Sequence, residues 1–145
     1  MKKMINNPDN VIEELMSGYL IAYPEYIRRS ELHKRALIGK KRNDKRKVSI
    51  LIGGGSGHEP AFLGYVGKGM ADGVAVGNIF ASPSPIPIQA VTREINRDHG
   101  VLYIYGNYAG DLMNFEMASE MTEIEDDIVT KAVIGNDDVA SSKDI

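Results

Sequence analysis

The run Val48-Ser49-Ile50-Leu51-Ile52 passes directly into Gly53-Gly54-Gly55-Ser56-Gly57-His58-Glu59-Pro60, and this junction constrains the chain more than any other stretch. β-branched and aliphatic residues favour an extended strand, and three successive glycines remove every Cβ at its end. The pattern predicts a turn in which positive φ angles aim backbone N–H groups at a bound, oxygen-rich molecule. His58 follows at the lip of that turn, a proton-transfer group beside backbone donors, as a site for a small polar substrate requires. A tight structural turn without any ligand would use the same glycines.

Two nucleotide-binding patterns fit poorly. A phosphate-binding P-loop needs Lys and then Ser or Thr after its last glycine, and here His58 and Glu59 hold those places. The dinucleotide fingerprint needs a third glycine and a later acidic residue at spacings this chain does not offer. Without cysteine, disulfides and thiolate metal sites are excluded. His33, His58 and His99 lie too far apart in sequence to suggest a metal site. No apolar run reaches the ~20 residues that cross a bilayer. The Met1-Lys2-Lys3 opening lacks the apolar stretch of a signal peptide, so the expectation is a cytoplasmic protein without membrane contact.

Charge divides the chain. Residues 1–47 carry 12 Lys or Arg against 6 Asp or Glu, and residues 48–145 carry 5 against 14, which gives +6 and −9. The basic part peaks at Lys40-Lys41-Arg42-Asn43-Asp44-Lys45-Arg46-Lys47. This run has no interleaved aromatic residues and reads as a solvated loop, with no nucleic-acid partner expected. With 145 residues and 43% hydrophobic content, the chain can bury one core, and residues 1–145 are expected to form a single domain. Within it, residues 1–47 read as a helical and basic lead-in. Asn7 caps and Pro8 opens a helix whose Val11, Ile12, Leu15, Met16, Tyr19 and Leu20 form one apolar stripe for the core.

Residues 48–145 read as strand-loop-helix units. Expected strands are Val48–Ile52, Gly73–Phe80, Val101–Tyr105 and Ile128–Ile134. Between them lie a helical segment Ala61–Met70, a helix from about Pro87 to Arg97, and a helix after Asp111 that packs through Leu112, Phe115 and the methionines at 113, 117 and 121. The alternation predicts an α/β fold, a three-layer arrangement with a largely parallel or mixed sheet flanked by helices. Loops at the carboxyl ends of such strands meet on one edge, and here they carry Gly53 to His58, Ser82, Asn107 to Asp111, and Asp137-Asp138. Asp111 at a helix start suits either an N-cap or a base that receives a hydroxyl proton. His58 suits either a structural hydrogen bond or catalysis, and Glu59 a cap or solvent.

Taken in order, Gly53-Gly54-Gly55-Ser56-Gly57-His58-Glu59-Pro60, Gly64-Tyr65-Val66-Gly67-Lys68-Gly69-Met70, Ile79-Phe80-Ala81-Ser82-Pro83, Asn107-Tyr108-Ala109-Gly110-Asp111 with Asn114-Phe115-Glu116, and Asp137-Asp138-Val139-Ala140 resemble the dihydroxyacetone kinase family. The resemblance is to the leading part of its substrate-binding subunit or domain and covers almost the whole chain. It implies a kinase that phosphorylates a terminal hydroxyl of a small ketose, dihydroxyacetone (glycerone) or erythrulose. Carried onto this sequence, Gly55, Ser56, Gly57 and His58 line the ketose pocket, with His58 an acid/base or hydrogen-bonding group. Asp111 takes the proton of the attacking hydroxyl.

The resemblance also implies that this chain binds no cofactor or metal of its own. The phosphoryl donor, with its magnesium, sits on a separate ATP-binding domain or on an ADP-carrying subunit recharged by the phosphoenolpyruvate phosphotransferase system. Family members self-associate, so a homo-oligomer is expected. Two departures stand out. The histidine that holds the ketose covalently in the family lies downstream of the stretch matched here, so turnover by this chain alone is not expected, and His99 does not match it. Gly106 stands where many members carry lysine, which leaves room and resembles the erythrulose branch. The alternative function is a noncatalytic ketose-binding sensor or transcriptional co-regulator, a role some relatives have.

Overall fold

The computed structural model describes residues 4–40 and 47–138. The Asn7 side chain accepts from the Asp9 N–H at 3.0 Å, and Pro8 opens a 3-10 turn, Pro8–Asn10, that runs into helix α1, Val11–Ala22. Ile12 and Met16 on the expected apolar stripe are buried, with Val11, Leu15, Tyr19 and Leu20 packed beside them.

The lead-in holds more than that helix. Strands β1 (Ile27–Arg29) and β2 (Ala36–Gly39) form an antiparallel pair, and all four residues of β2 are buried. The reading of residues 1–47 as a helical and basic lead-in thus left out two strands. The charges that obscure the pair are absorbed by carboxylates on helices. Arg28 meets Glu94 at 2.5 Å, Arg35 Nε lies 3.1 Å from Glu13, and Ser30 donates to Glu94. The basic run at 41–46 lies outside the described residues.

After it come β3 (Ser49–Ser56), β4 (Gly73–Ile79), α2 (Pro85–Ile95), β5 (Val101–Gly106), α3 (Ala109–Asp126) and β6 (Thr130–Gly135). The sheet order is β1-β2-β4-β3-β5-β6, with β4, β3, β5 and β6 mutually parallel and β2 antiparallel to β4. This is the expected mixed α/β sheet flanked by helices. One face carries Ile38, Leu51 and Tyr103 against Ile88, Val91 and Ile95 of α2 and Phe115 of α3. The opposite face carries Leu37 and Val74 against Ile12 and Met16 of α1 and Leu63.

Three local expectations change. Gly53, Gly54 and Gly55 continue β3, and within the junction only Gly57, at φ 100°, takes the left-handed region. The segment Ala61–Met70 forms turns around one short 3-10 stretch, Leu63–Tyr65, because Gly64, Gly67 and Gly69 interrupt any longer helix. Met113 and Met117 of α3 are exposed at 58% and 47%, so they do not pack into the core.

The chain leaves β3 for β4 on one side and returns to β5 on the other, so the carboxyl ends of β3 and β5 flank the point where strand order reverses. A crevice forms there in open α/β sheets. At the opposite edge Asp72, 7% exposed, locks the strand starts together. It receives the Ile50 N–H at 3.0 Å, Lys47 Nζ at 2.9 Å and Arg97 at 3.1 Å. Removing one member of a buried pair leaves uncompensated charge. Asp72→Ala should therefore destabilise the fold by about 3 kcal/mol, read as a lower urea midpoint; a loss within the noise of the midpoint would show that the network is dispensable.

Candidate functional site

The carboxyl ends of β3, β4, β5 and β6 border one open groove of about 890 Å³. Gly55, His58 and Asp111 line it, together with Phe62, Phe80, Ser82, Tyr108 and Asp138. The other two expected site residues take different positions. Ser56 is buried at 2% exposure, and its hydroxyl donates to the Gly77 carbonyl at 2.8 Å, tying β3 to β4. Gly57 sits on the outer lip, where its N–H donates to Glu59 Oε2 at 2.8 Å. Glu59 thus occupies one of the backbone donors expected to face a ligand.

Asp111 is the third residue of α3, inside its first turn. The capping position belongs to Tyr108, whose side chain makes no cap bond. The N-cap reading of Asp111 is thereby set aside. Its carboxylate is 7% exposed and accepts from Ser82 Oγ at 2.5 Å. Burial raises the Asp111 pKa above the usual carboxylate value, and the Ser82 hydrogen bond and the nearby His58 charge pull against that rise. A buried carboxylate near the helix N-terminus, held by one hydroxyl in a groove that an imidazole also lines, can accept a proton from an alcohol bound there.

The loop that supplies Ser82 is fixed from both sides. Asn114 Nδ2 donates to the Pro83 carbonyl at 2.9 Å, tying the loop to α3. The Phe80 N–H donates to the Ser56 carbonyl at 2.8 Å, tying it to β3. Sequence placed Ser82 among the converging loops and, with Phe80, inside the Ile79-to-Pro83 motif, without giving either a role. It offered no signal for Phe62, whose ring flanks His58 together with that of Phe80, at centroid distances of 6.3 and 5.1 Å.

The far wall joins the loops after β5 and β6. Asn107 Nδ2 donates to Asn136 Oδ1 at 2.7 Å, and the Tyr108 hydroxyl donates to Asp138. A Cβ on Gly106 would lie 3.1 Å from the Tyr108 ring, so the start of any side chain there meets that ring. Neither His33, in the turn between β1 and β2, nor His99, ahead of β5, lines this groove. Among the described residues, no group of three His, Cys, Asp or Glu is arranged to hold a metal ion, and no helix is long and apolar enough to cross a membrane.

The family model for the Dak1 domain matches residues 17–145. The dihydroxyacetone-binding subunit DhaK of PTS-dependent dihydroxyacetone kinase 2 from Listeria innocua is 43% identical over 145 residues, covering 100% of this chain and 44% of that protein. The D-erythrulose kinase of Mycolicibacterium smegmatis is 41% identical over 143 residues, covering 99% of this chain and 24% of the enzyme. The crystal structure of the C. freundii dihydroxyacetone kinase in complex with AMP-PNP and Mg2+ superposes with a TM-score of 0.88 at 30% identity, covering 98% of this chain and 27% of that one. The chain therefore spans less than half the length of these relatives.

The raised Asp111 pKa has a signed consequence for stability. As pH climbs past the ordinary carboxylate value, the unfolded chain releases this proton before the folded one does. The folded state loses stability across the window up to its own raised value, and Asp111→Asn should remove that loss. Denaturant midpoints of both proteins through the acidic range should diverge with rising pH in favour of Asn. Parallel curves would mean that Asp111 titrates as a solvated carboxylate.

Proposed function

The chain belongs to the Dak1 domain family, and from that membership we propose that it supplies the ketose-binding side of a small-ketose kinase. The observation that carries this reading is the buried Asp111, held by Ser82 in a groove at the strand-order reversal that His58 also lines. A pure sensor needs hydrogen-bonding groups, but it has no use for a desolvated carboxylate poised to take a proton. That favours the kinase over the co-regulator.

In this reading Gly55 lets the Phe80-Ala81 backbone close against the end of β3, and His58 donates to an oxygen of the ketose. Asp111 accepts the proton of the terminal hydroxyl as that oxygen bonds to the donor's phosphorus and the bond from phosphorus to the donor's leaving oxygen breaks. The donor nucleotide and its magnesium come from another domain or subunit. Gly106 and Tyr108 shape the wall met by the ketose carbons, which is where dihydroxyacetone and erythrulose would be told apart. The site works in a cytoplasmic assembly of more than one copy, and turnover there calls on the covalent histidine of the family, which His99 does not match by motif.

Two measurements test this. In an NMR titration with dihydroxyacetone or erythrulose, saturable shifts should centre on Gly55, His58 and Asp111 and vanish in His58→Ala; a well-dispersed spectrum that ignores both ketoses would sink the reading. In an assembly that phosphorylates ketose, Asp111→Asn should lower kcat by about 10²–10⁴-fold with little change in KM. A full-rate Asn variant would remove Asp111 from the chemistry.

A further inference from the structure

His58 is exposed at the groove lip, yet its ring is bracketed. The Phe80 ring meets it at 5.1 Å and 69°, and the Phe62 ring at 6.3 Å and 89°, both edge-on contacts. Both phenylalanines have backbone in the positive-φ region, Phe62 at φ 65° and ψ −73° in a γ-turn closed by the Leu63 N–H on the Ala61 carbonyl at 3.0 Å, and Phe80 at φ 52°. Two other non-glycine residues share that region among the described residues, Asp98 and Asp127, and aspartate is a residue type that tolerates it. A bulky aromatic residue in that region is a strained choice and needs a reason in the surrounding structure.

Burial is not that reason for Phe80, which is 70% exposed. Its ring packs on His58 and on the glycine before it. A Cβ on Gly57 would lie 2.8 Å from the Phe80 ring, and a Cβ on Gly54 would lie 2.3 Å from the Phe62 ring. Two of the motif's glycines thus leave open the volumes that the two rings occupy. The backbone holds Phe80 in place through the bond from its N–H to the Ser56 carbonyl and through the Ala81 N–H, which donates to the Asn78 carbonyl at 3.1 Å.

We propose that Phe62 and Phe80 are positioning residues that clamp the His58 imidazole in one orientation at the groove, and that Gly54 and Gly57 are required because the clamping rings fill their side-chain space. Without the rings an exposed histidine samples several rotamers, and only part of its population presents a nitrogen to a bound oxygen. The strain at the two phenylalanines is the cost of a preset imidazole. The clamp is a statement about the free chain. Its consequence for ketose binding rests on the proposed function.

The test reads the His58 imidazole resonances in the unliganded chain and in Phe80→Leu, Phe62→Leu and Phe80→Tyr. A neighbouring aromatic ring shifts these signals magnetically, so each Leu variant should move them toward the values of an unstructured histidine and broaden them. The His33 and His99 signals should stay in place, and Phe80→Tyr should retain the wild-type His58 signals. Because Phe80 is largely exposed, its Leu variant decides the matter even where Phe62→Leu compromises folding. With dihydroxyacetone as the probe, Phe80→Leu should weaken binding about tenfold. A folded Phe80→Leu protein with unmoved His58 signals overturns the clamp, whether or not the ketose binds. Moved His58 signals in a chain that binds neither ketose support the clamp and overturn the ketose reading alone.

Discussion

The whole site depends on how closely other parts of the chain approach the end of β3. A Cβ on Gly53 would lie 2.8 Å from the Ala75 carbonyl oxygen, and one on Gly55 would lie 2.7 Å from the Ala81 nitrogen. On Gly77 it would come within 2.0 Å of the Ala81 oxygen. Side chains on Gly55 and Gly77 would push the loop after β4 away from the sheet, and one on Gly53 would wedge β3 from β4. Because they are absent, that loop folds back across the strand ends and carries Ser82 to Asp111. The glycines act by emptying space in an extended strand, and only Gly57 uses the conformational freedom usually credited to glycine.

Two buried carboxylates at opposite edges of the sheet show how environment separates structure from chemistry. Asp72 and Asp111 are equally enclosed, each at 7% exposure. Asp72 is met by Lys47, Arg97 and a backbone N–H, so its charge is matched where three segments join. Asp111 has one hydroxyl and the more distant charge of His58. The first arrangement spends the charge on holding the fold, whereas the second leaves lone pairs and a raised proton affinity facing a groove.

The sequence was legible where periodicity and burial agree. The four parallel strands, α2 and α3 follow from apolar runs broken by glycine, proline and asparagine, and the stripe on α1 packs as its spacing implies. Strands β1 and β2 were not legible, because Arg28, Arg29, Lys34 and Arg35 mask the pattern and their partners Glu13 and Glu94 lie on distant helices. For the site, His58 and Asp111 stood out by residue type and by motif. Ser82 gained a role only through a contact spanning 29 residues, and a phenylalanine at positive φ announces itself by no local pattern. The exposed Met113 and Met117 erred in the other direction, since a periodic apolar residue need not face the core.

The charge of the groove argues for a division of labour. Asp111, Asp137 and Asp138 line it, and no Lys or Arg does so among its described residues. A small neutral ketose would meet no like charge in such a site, where the carboxylates could accept from its hydroxyls. The phosphates of a nucleotide would instead meet like charge without a compensating cation. Phosphoryl transfer here would need the positive charge to arrive with the donor, as magnesium and as basic groups of another domain or subunit. In the proposed reading, the carboxylate that would take the hydroxyl proton and the charge that would stabilise the transferring group come from opposite sides of one interface.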